Sequence, residues 1–473
     1  MPLGLYISIP FCRTKCSYCN FASDVFSKSA YENYVARLLE DIANSRQLAS
    51  ELGCALGAAH GCTYDETADS IYLGGGTPSI LEVAQLRRIF AAVRGHFAIT
   101  PDAEITVECA PGTLTPALIE TLLQCGVNRV SLGVQSFVDQ EAQSVGRLHK
   151  RSTVLEEIGR LRAAGLANIN IDLIAGLPHQ TAESWAFSLS ETIATGVPHA
   201  SVYMLEVDED SRLGRELIAG GARYHAHFVP DEDATADFYQ QACEMLASAG
   251  IAQYEISNFA RTAMQSRHNS KYWTREPYLG FGVDAHSMLE RIVWGRAPSL
   301  VQAERSSAPA RAHGNSRFAI GGVEEDRHQA VRFATPDSLD AYMNRAPHTV
   351  TPVSAQAAIE ESFFLGLRLN RGVDLERLRT QSRFWEGHDF SRAINAAGMT
   401  ALAAAATRRA SRQEFTPAAI WESAIQQCVQ DGLLEQQGTT LRLTARGRLL
   451  SNEVFARFLT EETKVGTGHV NPR

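Results

Sequence analysis

The sequence predicts an α/β protein built on a parallel sheet, followed by a smaller C-terminal module. Apolar runs typical of buried strands alternate with amphipathic helical runs over roughly the first 205 residues. The connections between these runs are short, which favours parallel βαβ units with helices packed outside the sheet. With 473 residues, 45% of them hydrophobic, the chain is long enough for one large domain and a smaller one.

Six strands and five helices are predicted in the first part of the chain. The first strand, residues 3–9, is apolar and ends before Pro10, which lacks the N–H that a central strand requires. The helices repeat apolar residues at three- and four-residue intervals. Further strands are predicted at 70–73, 104–108, 129–134, 168–175 and 200–205, and helices at 31–42, 82–97, 116–125, 153–164 and 182–195. Six strands are fewer than the eight of a closed barrel.

Composition limits the classes of function. A net charge of −9 and a pI near 5.9 give no reason to expect a nucleic-acid partner. The nine cysteines are an odd number, and six of them are scattered, which is not typical of a disulfide framework. Neither a signal peptide nor an apolar run long enough to span a membrane is visible. We therefore expect a cytoplasmic protein, with peripheral membrane contact and a homodimer left open.

Three closely spaced cysteines follow the first predicted strand. Cys12 and Cys16 are separated by three residues, and Cys16 and Cys19 by two. Thiolates this close can bind one soft metal centre. A structural zinc site needs four protein ligands, and this loop holds no fourth cysteine or histidine. Three cysteines suit a 4Fe–4S cluster with one open iron, while a partial zinc site and a redox pair remain alternatives.

Polar residues stand where the predicted parallel strands end. In a parallel sheet these ends gather at one mouth, together with the cysteine loop. The second strand runs into three glycines, which match no phosphate-binding fingerprint but allow a ligand to approach the backbone closely. The candidates at this mouth are Gly75, Gly76, Thr77, Glu108, Gln135, Arg147 and Asp172.

The cysteine spacing on the loop after a first strand resembles that of the radical S-adenosylmethionine (SAM) superfamily. The resemblance implies a partial (β/α)6 TIM-like barrel that holds a 4Fe–4S cluster, with SAM on the open iron, and a small electron donor. It also implies that Tyr6 contacts SAM and that Gly75, Gly76 and Thr77 hold its amino group. Tyr18 and Phe21 flank Cys19, so we expect them either to shield the cluster from water or to be ordinary core aromatics. A guanidinium suits the carboxylate of SAM, so we assign Arg147 to it, and Glu108, Gln135 and Asp172 to the ribose and amino groups.

One branch of the superfamily resembles the chain more closely, in residues 6–12, 74–79, 131–136 and 172–178. It contains the oxygen-independent coproporphyrinogen III dehydrogenases and related heme chaperones. Phe21 stands where the dehydrogenases have a fourth cysteine, and the first strand begins too early for their N-terminal extension. Both differences favour a heme chaperone that delivers heme to respiratory enzymes. The alternative is an oxygen-independent coproporphyrinogen III oxidase that uses a 5′-deoxyadenosyl radical, so enzymatic activity stays open.

A second motif supports the chaperone prediction. His268, Asn269, Tyr272 and Trp273 fit a His-Asn-x-x-Tyr-Trp pattern that resembles the heme-associated motif of the chaperones. A neutral imidazole is a common axial ligand of heme iron, and aromatic rings can stack on a porphyrin. The alternative is that these residues cap a loop and fill the core. His225 and His227 are predicted to be surface residues.

The predicted domains are a barrel at 1–290, a linker with a flexible insertion at 291–352, a winged-helix-like α+β module at 353–460 and a disordered tail at 461–473. The C-terminal module is predicted from a helix at 359–369, a helical face containing Trp421, a hairpin at 436–443 and a closing helix at 445–459. Insertions of unassigned role lie near 49–67, 303–330 and 383–414.

Overall fold

The computed structural model describes residues 1–52, 54, 67–290, 330–378 and 417–459. Its main element is a twelve-stranded sheet whose central strands are parallel and adjacent in chain order. These strands are β1 (Leu3–Ile9), β2 (Thr67–Gly75), β3 (Ala98–Cys109), β4 (Arg129–Gln135), β5 (Ile169–Ala175) and β6 (His199–Met204). The sheet has two free ends, so the predicted partial barrel is confirmed.

Helices connect the parallel strands and cover the outer face of the sheet. They are α1 (Lys28–Glu51), α2 (Val83–His96), α3 (Pro116–Gln124), α4 (Asp139–Ser144), α5 (Arg151–Ala163) and α6 (Ala182–Thr195). Local sequence sets their ends. The Thr181 hydroxyl accepts the backbone N–H of Ser184 at the start of α6, and Gly196 ends that helix with a φ of 69°.

Alternation along the strands separates an apolar outer face from a polar inner face. Ile7, Leu73 and Leu132 are fully buried in the main core with the helices. The intervening residues lie on the opposite face, where β-ladder register brings polar side chains together. This inner set includes Tyr6, Ser70, Tyr72, Thr106, Glu108, Ser131, Asn170, Asp172 and Ser201. The inner face is therefore a polar cavity wall.

Additional strands extend the sheet at both ends. Beyond β6 lie β8 (Asn258–Ala260) and β7 (Ala252–Gln253), and beside β1 lies the parallel strand β9 (Tyr278–Phe281). Antiparallel strands β10 (His286–Glu290), β11 (Ala330–Ala334) and β12 (Thr349–Val353) follow β9. The segment between β6 and β9 also contains α7 (Arg212–Ala219), α8 (Glu232–Ser248) and α9 (Arg267–Trp273).

Part of the predicted linker belongs to the main sheet. Residues 330–352 contain β11, most of β12 and a short helix, α10 (Leu339–Met343). Val331 and Phe333 of β11 and Tyr342 of α10 are buried in the main core. These strands are five residues long and depend on distant partners, which local composition does not reveal. Residues 291–329 lie outside the described part of the chain.

The C-terminal region has its own core. It contains α11 (Ala355–Leu367), β13 (Val373–Asp374), α12 (Pro417–Gln430), β14 (Leu434–Gln437), β15 (Thr440–Leu443), α13 (Ala445–Leu449) and α14 (Ser451–Ala456). The predicted helix–hairpin–helix order is present, but the closing helix is divided at Leu450. The winged-helix class of this module stays a prediction. The predicted insertion at 383–414 and the tail at 461–473 fall outside the described residues.

Candidate functional site

The cysteine loop, residues 10–24, connects β1 to α1 at the mouth of the partial barrel. Its base is closed by two backbone bonds: Cys12 N–H donates to the Asp24 carbonyl, and Asp24 N–H donates to the Pro10 carbonyl, each at 3.0 Å. Its far side contacts the segment after β6, where the Leu213 N–H donates to the Ser17 carbonyl at 2.8 Å. The loop is therefore fixed by elements on both sides.

The three cysteines fit a cluster better than a single metal ion. Burial raises the pKa of the Cys12 and Cys19 thiols, so a cationic centre is needed to hold them as thiolates. Within the described residues, no three His, Cys, Asp or Glu side chains lie close enough together for one metal ion. A 4Fe–4S cluster binds each thiolate at a different iron and accepts a wider arrangement. The Oγ atoms of Ser17 and Ser23 are buried there without hydrogen-bond partners.

The glycine segment after β2 packs directly on the cysteine loop. Gly76 N–H donates to the Ile9 carbonyl and Thr77 N–H to the Phe11 carbonyl, both at 2.8 Å. The Thr77 hydroxyl lies 3.7 Å from the Cys12 sulfur. Gly75 has a φ of 98°, which favours glycine, and its N–H bonds to the Glu108 carboxyl. The structure thus brings the predicted Gly75, Gly76 and Thr77 beside the predicted cysteines.

Arg147 provides the cation of the mouth. Its Nη2 donates to the Tyr18 hydroxyl at 3.4 Å, and its Nε is buried without a partner. Burial alone would lower the pKa of Arg147, but Tyr18 and Cys16 raise it, so the guanidinium stays charged. The nearby Gly133 makes room, since a Cβ there would lie 3.2 Å from Arg147 Nη2 and 3.1 Å from Gln135 Nε2. The free donor suits a carboxylate.

Two carboxyl groups face this cation. Glu108 accepts the Tyr72 hydroxyl at 2.7 Å, and burial raises the pKa of Glu108 to about 7. Asp172 accepts Ser131 Oγ–H at 2.9 Å and Asn170 Nδ2–H at 2.6 Å, and burial raises its pKa as well. The two carboxyls also repel each other, which a bound cation would relieve. The mouth can therefore bind a molecule that carries both an anionic and a cationic group.

His268 lies deeper on the inner face, below Tyr6 and Tyr72. It is 1% exposed, and its ring stacks 5.2 Å from that of Tyr72. Its Nδ1 bonds to Ser70 Oγ at 3.1 Å and its Nε2 to the Tyr272 hydroxyl at 2.8 Å. Burial lowers the pKa of His268 to about 3, so the ring is neutral. One of these hydrogen bonds must break before His268 can ligate a metal.

The other residues of this motif face different surroundings. Asn269 is half-buried, and its backbone N–H donates to Oγ of the N-cap residue Ser266 at 3.2 Å. Trp273 packs away from the mouth, with the Arg368 guanidinium 4.2 Å from its ring and Leu365 beside it. Trp273 therefore joins the barrel to the C-terminal region. The rings of Tyr6 and Tyr72 stack against His268 on the inner face, between this motif and the mouth.

Comparison with curated proteins decides the family. The chain is 32% identical over 381 residues to the heme chaperone HemW of Synechocystis sp., which covers 80% of this chain and 81% of that protein. The chain belongs to the HemW family. It is also 29% identical over 457 residues to HemW of Bacillus subtilis, covering 96% of this chain and 99% of that protein. The predicted branch of the radical SAM superfamily is confirmed.

The superfamily and the fold agree with HemW membership. The profile of the radical SAM superfamily matches residues 6–189, which implies a 4Fe–4S cluster and SAM as cofactors. The structure of coproporphyrinogen III oxidase (HemN) from Escherichia coli matches with a TM-score of 0.69 at 21% identity, covering 97% of this chain and 90% of that one. This likeness shows a shared fold alone. No helix among the described residues is long and apolar enough to span a membrane.

Several residues of this HemW-family site were not among the sequence candidates. Tyr72 bonds to Glu108 and stacks on His268, and Ser131 and Asn170 hold Asp172. Strict alternation in Ile169-Asn170-Ile171-Asp172 is a usable signal, because it places both polar residues on one face of β5. Phe21 differs from its expected shielding role, since 41% of its surface is exposed.

Proposed function

We propose that this protein is a heme chaperone that carries a SAM-ligated 4Fe–4S cluster and delivers heme to respiratory enzymes. The observation that carries the proposal is the similarity over 80% of the chain to a protein named heme chaperone HemW. Phe21 in the position of a fourth cysteine supports a carrier over a decarboxylating enzyme. The protein is proposed to be cytoplasmic, with a small electron donor for the cluster.

The mouth supports specific roles for the chain's own residues. Cys12, Cys16 and Cys19 would hold the cluster, which supplies one-electron chemistry when bound. The unpartnered Nε of Arg147 would bind the carboxylate of SAM. Glu108 and Asp172 would bind its cationic amino group and its ribose hydroxyls. Tyr6, Tyr18, Gly75, Gly76, Thr77 and Gln135 would line the remainder of this site.

The contacts of the His268 motif support a structural role for it more directly than a role in heme ligation. Both ring nitrogens of His268 are bonded, and its backbone N–H donates to Glu104 Oε1 at 3.0 Å. Tyr272 and Trp273 extend this packing toward the C-terminal region, and the Asn269 N–H donates to Ser266 Oγ at 3.2 Å. Heme ligation by His268 would require the loss of its hydrogen bond to Ser70 or to Tyr272.

Heme binding and release by the full chain test the proposal. The untagged protein is reconstituted anaerobically with iron and sulfide, titrated with ferric heme, and then mixed with apomyoglobin as an acceptor. We expect saturable binding of one heme per chain, followed by transfer to the acceptor. Absence of saturable binding overturns the proposal.

A further inference from the structure

Three histidines and one phenylalanine meet at the rim of the mouth, and we call His179, His225, His227 and Phe228 the rim cluster. His179 follows β5, and the other three lie between α7 and α8. His179 Nε2 lies 3.3 Å from His225 Nδ1. The Phe228 ring centroid lies 4.1 Å from those of both His179 and His227. The His179 N–H donates to the Phe228 carbonyl at 3.0 Å.

The backbone holds this geometry at some conformational cost. His179 and His225 have φ values of 69° and 61°, in the left-handed region that side-chain-bearing residues rarely adopt. The carboxylate of Glu216, on α7, accepts the N–H groups of Tyr224 and Ala226, which flank His225. Strained residues held by their surroundings in this way are common at ligand sites. The backbone contacts of Glu216 therefore help to hold the two histidines in this arrangement.

The pairing engages Nδ1 of His225 and leaves its Nε2 outside the contact between the two histidines. A neutral His179 can accept the Nδ1–H of His225 at its own Nε2. The lone pair of His225 Nε2 is then available, and a hydrogen bond at Nδ1 is the usual way in which a protein orients a metal-binding histidine.

The rim cluster also presents apolar surface beside the cysteine loop. Phe228 is 47% exposed. Leu177, two residues before His179, packs in one cluster with Tyr18 of the cysteine loop. The segment that leads to His225 contacts that loop again, where Asn20 Nδ2 donates to Asp208 Oδ2 at 2.7 Å. A flat apolar ligand with a metal at its centre suits an exposed aromatic ring next to an oriented imidazole.

We propose that His225 is an axial ligand of the transported heme, with His179 as its positioning residue and Phe228 against the porphyrin. This inference rests on the proposed heme-carrying function. It places the heme at the rim of the mouth rather than at His268, both of whose ring nitrogens are bonded.

Heme spectroscopy of matched variants tests the assignment. Reconstituted, untagged full-length wild type, His225→Ala, His179→Ala and His268→Asn are titrated with ferric heme and followed by the Soret band and by electron paramagnetic resonance. We expect His225→Ala to lose the histidine-ligated spectrum, and millimolar imidazole to restore it. His179→Ala should retain that spectrum but bind about 10- to 100-fold more weakly, as expected for an orienting hydrogen bond. The His268→Asn spectrum should match wild type.

The outcomes separate the two proposals. Wild type that binds no heme removes both the carrier function and the rim site. Wild type that binds heme with a spectrum unchanged in His225→Ala overturns the rim site alone, and loss of the spectrum only in His268→Asn does the same in favour of the deeper motif. Iron content and circular dichroism of each variant verify that it is folded and carries its cluster.

Discussion

The backbone N–H of Gly76 donates a hydrogen bond to the carbonyl of Ile9 at 2.8 Å. This bond joins the turn after β2 to Ile9, the last residue of β1, and only Pro10 and Phe11 lie between Ile9 and Cys12. The cysteine motif, which ends at Cys19, and the glycine segment, which begins at Gly74, are thereby held as one unit. The position of the cysteine loop depends on the absence of a side chain at Gly76.

Replacing Gly76 by alanine should destabilise the fold and reduce cluster content. A Cβ there would lie 2.7 Å from the Phe11 carbonyl oxygen and 2.8 Å from the Ile9 carbonyl oxygen, which are backbone atoms that cannot swing aside. We expect a loss of about 1–3 kcal/mol in the free energy of unfolding, as is typical of overpacking. Denaturant titration and iron analysis measure both effects.

The matched control is Gly159→Ala in α5. A Cβ at this exposed helical position meets no atom within 4 Å. We expect it to raise the free energy of unfolding by about 0.5–1 kcal/mol, because alanine restricts the unfolded chain and favours a helix. Equal effects of the two variants would contradict the close packing of Gly76.

Replacing Cys19 by serine should remove the cluster. A neutral hydroxyl is a poor replacement for a thiolate ligand of iron, and two cysteines leave a second iron open. Cys243→Ser on α8 is the control, since its thiol lies in a helix away from the loop. The amount of iron per chain and the absorbance of the cluster at about 400 nm are measured in the reconstituted proteins. Unchanged iron in Cys19→Ser would show that the loop does not hold the cluster.

Binding of SAM should depend on pH through Glu108. Burial raises the pKa of Glu108 to about 7 in the free protein. A cationic ligand favours the ionised carboxylate, so protons compete with the ligand below that value. Affinity should fall by up to about tenfold for each pH unit below 7 and level off above it. Calorimetry of the reconstituted protein from about pH 5.5 to about pH 8 measures this slope.

Two variants isolate the contribution of Glu108 to that slope. Glu108→Gln cannot ionise and should bind SAM more weakly, with a flatter pH dependence. Glu120→Gln, at an exposed position of α3, should behave as wild type. The role of Glu108 is refuted if the slope is the same in all three proteins.

His268 should make the fold sensitive to acid. Its pKa is lowered to about 3 by burial, whereas an unfolded histidine titrates near 6.5. Between these values the unfolded chain binds one more proton than the fold does. The contribution of His268 to the free energy of unfolding is therefore fully present above about pH 6.5. It falls by about 1.4 kcal/mol for each pH unit below that value.

The pH slope of His268→Asn measures this effect. The variant should be less stable than wild type at pH 7, because Ser70 and Tyr272 lose their partner. Its free energy of unfolding should nevertheless fall less steeply between about pH 6.5 and 4.5, where the wild-type histidine differs from its unfolded state. Parallel slopes would contradict a neutral, buried His268.

Local patterns predicted the parallel part of the fold well. The first strand was predicted at residues 3–9 and the helix at 182–195, and β1 and α6 have those bounds. A β-branched run ended by Pro10 and a helix bounded by Thr181 and Gly196 carry their own boundary signals. Strand ends also indicated that Glu108 and Asp172 face one mouth, where the structure places them near Arg147.

Features set by distant partners were not predictable in this way. The short strand β11 pairs with the edge of β10, and β12 pairs in turn with β11. His225 was predicted as a surface residue, yet it lies against His179 through a contact between two loops. The depth of His268 likewise depends on Ser70 and Tyr72, which are nearly two hundred residues away. No local period encodes these contacts.

The most direct test of the account is an assay for coproporphyrinogen III decarboxylation. The anaerobically reconstituted wild-type protein is supplied with SAM, a reductant and coproporphyrinogen III, beside Cys19→Ser, and the porphyrin products are resolved by mass spectrometry. A heme carrier should form no more decarboxylated product than the cluster-deficient variant does, although the same preparation binds one heme per chain. Cluster-dependent conversion to protoporphyrinogen IX would contradict the account and identify the protein as an oxidase.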